Sequence, residues 1–199
     1  MRRVRTRSVP IVLLVAVGAM LSVIGRLGTN GDATEAATAT VTDRDAVMAT
    51  FSDAAVARQA DVVPEQVPGK RATPAAIEEM VRHGEAHFGA LFTRHGYGQQ
   101  IVVVHNTAEM LRSGHVRILG GGVSHIDYSS VDVSGATARV QADVTAWQQL
   151  AVTDGQGVET TAKPSNVLVV TATLVRAPTA PTGWQVDDFR WRFAAGSRP

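Results

Sequence analysis

The chain contains no cysteine. That absence excludes thiolate catalysis, disulfide staples, lipid attachment through cysteine and cysteine-type zinc sites. Aromatics are scarce, at 5 % of residues, so each tryptophan is first a candidate for the core. No phosphate loop is present: Gly120-Gly121-Gly122 lacks the G-x-x-x-x-G-K-[ST] context and reads as a hinge or turn. There is no internal repeat. Clustered positive charge is missing from most of the chain as well. Residues 1 to 27 hold five arginines and no acid, while the other 172 residues carry 14 basic and 18 acidic groups, a balance of −4. A slightly acidic domain is a poor partner for nucleic acid, because phosphate affinity needs clustered cations.

What is present begins with a basic tail, residues 1–9, followed by the apolar run I-V-L-L-V-A-V-G-A-M-L-S-V-I-G and then Arg26. Four arginines before the run and one after it orient the N-terminus toward the cytoplasm and the rest outward. The run is about 16 residues, at the short edge of what spans a bilayer. Residues 10–27 are therefore expected to be a transmembrane anchor, with a cleaved signal peptide and a secreted product as the alternative. Against cleavage, Arg26 closes the run directly and the nearest small-x-small site, Ala37-Thr38-Ala39, lies well downstream. Residues 28–41 are small and polar and read as a flexible tether. Residues 42–195 suffice for one domain with a real core, and 196–199 form a tail.

Within that domain a first helix is expected over about 43–60, with Val47, Met48, Phe51, Ala54 and Ala55 on one face. Thr73-Pro74 starts a second, with Thr as N-cap and Pro at the first helical position. Its stripe of Ile77, Met80, Val81, Gly84, Phe88, Leu91 and Phe92 is to end at Gly96. Gln99 to His105 reads as a strand, Thr107 to Arg112 as one or two helical turns, and Ser124 to Val133 as a strand. Ser134-Gly135 makes a tight turn, and Ala136 to Leu150 alternates apolar and polar with a clean period of two. Thr153 to Pro164 is a polar loop. Val167 to Val175 is uncharged and β-branched, as suits a strand covered on both faces. Pro178, Pro181 and Gly183 then turn the chain. In the last strand Trp184 and Val186 share one parity, and Phe189, Trp191 and Phe193 the other. The switch at Asp187-Asp188 predicts a bulge or bend, since one extra residue moves the apolar set to the opposite face.

Two helices followed by a curved antiparallel sheet with long later strands resemble the NTF2-like, or cystatin-like, α+β fold, here preceded by one transmembrane helix. An N-terminal anchor, A-R-V-Q-A-D-V-T, a loop ending in proline, V-L-V-V-T-A-T-L-V-R and G-W-Q-V-D-D-F resemble more particularly the Mce-associated membrane proteins of actinobacteria. The resemblance covers about residues 10 to 193. It implies a single-pass anchor carrying an extracytoplasmic domain, and an accessory role beside a membrane transport complex that handles lipids or sterols. It implies envelope protein partners and no cofactor.

Three sets of residues could carry chemistry. His125 and Asp127 share a strand face, and Asp143 on the neighbouring strand could join them; such a pair can move protons. NTF2-like enzymes such as SnoaL-type cyclases use acid and base side chains inside the cone between sheet and helices, whereas the plainer reading is exposed polar residues on a sheet. His83 and His87 stand at i and i+4 on one helix face and can both reach a zinc ion. The metalloprotease pattern H-E-x-x-H is absent, since Glu85 sits two residues after His83, about 200° around the axis. No third ligand is evident in the nearby sequence, so a helix flank is the simpler account. Tyr128, Trp147, Trp184 and Trp191 could line a ligand cone or meet a partner.

The expected function is a non-enzymatic, membrane-anchored accessory or assembly domain. The alternatives are a binder of a small apolar molecule or an enzyme using the cone, and a component of a secretion or conjugation complex. An empty, apolar or filled cone favours the first. A water-accessible cavity where His125, Asp127 or Asp143 converge favours the second.

Overall fold

A computed structural model describes residues 41–197. The expected anchor, most of the tether and the last two residues of the tail lie outside the described residues. Among the described residues no helix is long and apolar enough to cross a membrane.

The architecture is α+β, with helices packed on one face of an antiparallel sheet. Among the described residues four helices come first: α1 (Val41–Ala60), α2 (Pro74–Leu91), α3 (Arg94–Gln100) and α4 (Val102–Arg112). Five strands follow: β1 (Val116–Ser134), β2 (Thr137–Thr153), β3 (Glu159–Ala162), β4 (Ser165–Arg176) and β5 (Trp184–Phe193). The sheet runs β1-β2-β4-β5, and β3 pairs with the far end of β2.

Sequence sets the boundaries through caps and turns. The Thr73 side chain accepts a hydrogen bond from Ala76 N and Pro74 opens α2, as expected. Gly135 turns β1 into β2 with φ of 56°, in the left-handed region that favours glycine. Alternation in β2 is realised directly: Ala138, Val140, Ala142, Val144 and Ala146 are buried. The bulge in β5 is also present. Thr173 pairs with Asp188 but Leu174 pairs with Val186, so Asp187 is the extra residue. Trp184, Val186 and Phe189 are consequently all buried on the helix side.

Other expectations give way to packing. Gly96 does not end α2; Phe92 is its C-cap, and Gly96 lies inside α3. A Cβ there would stand 2.6 Å from Val186 O. Gln99 to His105 is helical, spanning the end of α3 and the start of α4. The β-branched run I-V-V-V loses to tertiary contact: Val104 is buried and its methyls lie against Gly84 of α2. Gly120 to Gly122 is strand rather than loop. Gly120 and Gly122 lie against the Trp147 indole, and Gly121 lies under the carbonyl of Gln59, where a Cβ would collide. The polar segment after β2 contains the short strand β3. Strand β4 is fully covered on one face only, through Val170, Ala172 and Leu174. Its other face is half-buried, because there Val169 and Thr171 have Asp143, Gln141, Arg190 and Arg192 as strand neighbours.

Two apolar clusters result. The larger joins Val47, Phe51, Phe88 and Phe92 of the helices and their following turn to Val140, Leu174, Trp184, Val186 and Phe189 of the sheet. The smaller joins Ile77 and Met80 to Ala108, Leu111, Ile118 and Leu150. Buried Arg117 clasps the latter end: it donates to both carboxylate oxygens of Glu159, at 3.0 and 2.7 Å, and to Lys70 O at 2.9 Å.

These contacts make the glycines unequal. Gly121→Ala is expected to lower stability by about 1–3 kcal/mol, the range for overpacking a fitted site. Gly89→Ala, on an exposed helical position with open space, is expected to raise it by about 0.5–1 kcal/mol. Urea denaturation of the two variants measures both signs.

Candidate functional site

The concave face was the expected site, and it is occupied by side chains. Phe51 stacks on Phe189 with centroids 5.8 Å apart, Phe88 stacks on Phe92 at 5.3 Å, and Phe92 meets Phe189 edge-on at 6.4 Å. Trp184 is fully buried behind them, with the Arg176 guanidinium 4.8 Å from its ring centre. These rings fill the space between the helices and the sheet.

His125, Asp127 and Asp143 point the other way. Asp127 pairs across strands with Asp143, and His125 with Thr145. The intervening Ile126 and Tyr128 pair with buried Val144 and Ala142, so those positions face the helices and the three polar groups face outward. All three are exposed. They share a face, as expected, but on the convex side of the sheet, and they enclose no cavity. His125 does border a shallow depression of about 340 Å³ between α1 and β1, lined also by Ser52, Val56 and Tyr128. Neither aspartate reaches it.

The four aromatic candidates serve packing. Tyr128 Oη donates to Met48 O at 3.1 Å and its ring lies 5.7 Å from Phe51, tying β1 to α1. Burial first, and then the Asp53 carboxylate, push its hydroxyl above the ordinary value of 10.0. Trp147 is half-buried over Gly120 and Gly122, with Lys163 Nζ 4.2 Å from its ring centre. Trp191 is half-buried at the end of the concave face, edge-on to Phe193 at 5.4 Å. Arg58 of α1 lies over Phe189 and Trp191, at 5.3 and 5.8 Å. Desolvation there pulls the pKa of Arg58 down to about 10.

The histidines of α2 acquire a partner that sequence reading did not supply. Asp61 follows the last residue of α1, and its backbone N–H continues the last turn by donating to Ala57 O at 2.9 Å. Its carboxylate lies 2.7 Å from His87 Nδ1 and 3.7 Å from His83 Nε2. Among the described residues this is the one group of three or more histidine, aspartate or glutamate side chains whose donor atoms converge, all within 4.8 Å. Glu85 faces elsewhere and lies 3.6 Å from His105 Nε2. A signal was available: an acid at a helix C-terminus opposes the dipole and calls for a cation.

No family model and no curated protein matches this chain. Solved structures similar to it include an IcmL-like type IV secretion system protein from Legionella pneumophila, 10 % identical. That likeness has a TM-score of 0.49 and covers 79 % of this chain and 96 % of that one. A periplasmic fragment of TraM is 13 % identical, with a TM-score of 0.48 and coverage of 76 % and 98 %. The periplasmic domain of DotI is 11 % identical, with a TM-score of 0.44 and coverage of 82 % and 100 %.

Three variants test this placement of the side chains. His125→Ala should leave stability within roughly 0.5 kcal/mol. Asp143→Asn should raise the urea midpoint, more at low salt, because it removes one of two carboxylates directly opposed across strands. Tyr128→Phe should cost about 1 kcal/mol at neutral pH through the lost hydrogen bond. The raised hydroxyl is neutral in the fold, so its contribution is complete below about pH 10 and is lost as pH climbs through that value and the higher folded one. The variant should therefore lose less stability than the parent as pH rises past 10, in denaturation curves taken across that rise.

Proposed function

We propose that this chain is a non-enzymatic accessory domain that works through its outer surface, in contact with other envelope proteins. The observation that carries this reading is the filled concave face. Phe51, Phe88, Phe92, Trp184 and Phe189 occupy the volume in which a cone-type enzyme would hold its substrate. The acid–base candidates His125, Asp127 and Asp143 are exposed on the opposite side. A catalytic site needs its proton-transfer groups within hydrogen-bond reach of a sheltered substrate, and here those two requirements fall on different faces of the sheet.

The cellular setting comes from sequence. The basic tail 1–9 and the apolar run 10–27 favour a single-pass protein whose domain lies outside the cytoplasm. The phrases A-R-V-Q-A-D-V-T and G-W-Q-V-D-D-F support an NTF2-like domain of the Mce-associated kind, beside a lipid transport complex. The balance of −4 after residue 27 fits protein contacts and not nucleic acid.

The test is recovery of the tagged full-length protein from native membranes in mild detergent, with chemical crosslinking and mass spectrometry. Lipid-transport subunits recovered in fixed ratio are the expected result, unchanged by His125→Ala with Asp127→Ala. Secretion-channel subunits in fixed ratio would keep the accessory role and overturn the lipid-transport setting. Recovery of the protein alone, with or without crosslinker, would overturn the accessory role itself.

A further inference from the structure

The end of α1 presents an electrostatic problem that the apolar core does not solve. Asp61 is 7 % exposed and sits at the negative end of a 20-residue helix. Burying a carboxylate is costly unless it is paired, and the helix dipole adds to the penalty at this position. The groups that meet its side chain are His83 and His87, at 65 % and 40 % side-chain exposure. Three donors of nitrogen and oxygen type therefore converge between the end of one helix and the middle of the next, with one side open to solvent.

We propose that Asp61, His83 and His87 bind a divalent transition metal ion, Zn²⁺ by preference, with water in the fourth position. Ligand chemistry favours this choice. Two imidazoles and one carboxylate are a three-ligand zinc set, and calcium and magnesium prefer all-oxygen shells. Geometry favours it too. Tetrahedral bonds of 2.0–2.1 Å put neighbouring donors about 3.3 Å apart. The two carboxylate oxygens stand 2.7 and 3.7 Å from their imidazole partners, and all three donors lie within 4.8 Å. Two imidazoles on one tetrahedral ion would have centroids about 5 Å apart, and the two rings are 5.8 Å apart. The remaining gap, from 3.7 to about 3.3 Å for His83, is of the size that side-chain torsions span. The i, i+4 spacing on α2 supplies both nitrogens from one face, His83 through Nε2 and His87 through Nδ1.

The role is a clamp. With Glu85 turned toward His105, no carboxylate stands ready as a general base, so the ion would tie α1 to α2 rather than activate its water. The clamp is independent of the accessory reading, because it rests on residues within one chain.

The test is equilibrium dialysis of the purified full-length chain in mild detergent against ZnCl₂, with Co²⁺ as a spectroscopic substitute. One Zn²⁺ per chain is expected, released by chelator, with the visible absorption of tetrahedral Co²⁺ and a thermal midpoint that rises with Zn²⁺ concentration. His83→Ala is the decisive variant, since it removes an exposed ligand and leaves the Asp61–His87 hydrogen bond in place. It should weaken binding by at least roughly 100-fold, the upper end of what loss of an outer-shell partner costs. His95→Ala, at an exposed position of α3, should bind as the parent does. Failure of the parent chain to take up one equivalent of Zn²⁺ would overturn the proposal. So would undiminished binding in His83→Ala, which would place the ion elsewhere.

Discussion

The fold depends on one inserted residue in β5. Without the extra residue at Asp187, Trp184 and Val186 would face the helices and Phe189 would face water. With it, all three are buried on the same side, and α1 and α2 have a continuous apolar floor to pack on. The same bulge turns the Val186 carbonyl and the Asp187 carboxylate toward the helices. Thr93 N donates to Val186 O at 3.0 Å, and Thr93 Oγ1 donates to Asp187 Oδ1 at 2.6 Å. The turn between α2 and α3 is thereby fastened to the edge of the sheet. Gln100 continues the fastening by donating to Phe189 O at 3.0 Å. An open edge strand invites pairing with another chain; over Val186 to Phe189 that edge is covered by this chain's own helices.

Filling the concave face has a consequence for function. Five aromatic side chains, interlocked at 5.3 to 6.4 Å where they form ring pairs, occupy the interior between sheet and helices. The convex face offers alternating polar groups from β1, β2 and β5. The helical side offers the shallow depression beside His125 and the histidine–aspartate cluster at the junction of α1 and α2.

Legibility from sequence followed the scale of the interaction. Local rules read well: the Thr73-Pro74 start, the Ser134-Gly135 turn, the period of two in β2 and the parity switch at Asp187-Asp188 all depend on residues near one another. The outward direction of Asp143 was legible too, because β2's alternation places it in the set with Thr137, Arg139 and Gln141, opposite the alanines and valines. Giving it a cone-facing role went against that pattern. The segment from Gln99 to His105 was not legible. Its β-branched run favours strand by propensity, and only the close approach of Val104 to Gly84 makes helix the better state. The glycine triplet misled for a similar reason, since its purpose is to admit the Trp147 ring and the Gln59 carbonyl.

The Asp61 cluster shows where sequence reading reaches its limit. His83 and His87 announce themselves at i and i+4, and their spacing alone leaves them on a helix flank. Their third member lies 26 residues from His87 along the chain, across the Pro/Gly-rich connection between α1 and α2, and no spacing rule links it to them. What could have pointed to it is energetic. An aspartate at the end of an amphipathic helix sits against the negative pole of the dipole and, once buried, needs a positive neighbour. Here the side chains that meet it are the two imidazoles of α2. The same reasoning separates this cluster from the exposed trio on the convex face. Asp127 and Asp143 are exposed to water and call for no partner, whereas the burial of Asp61 demands one and thereby gives the two histidines a task.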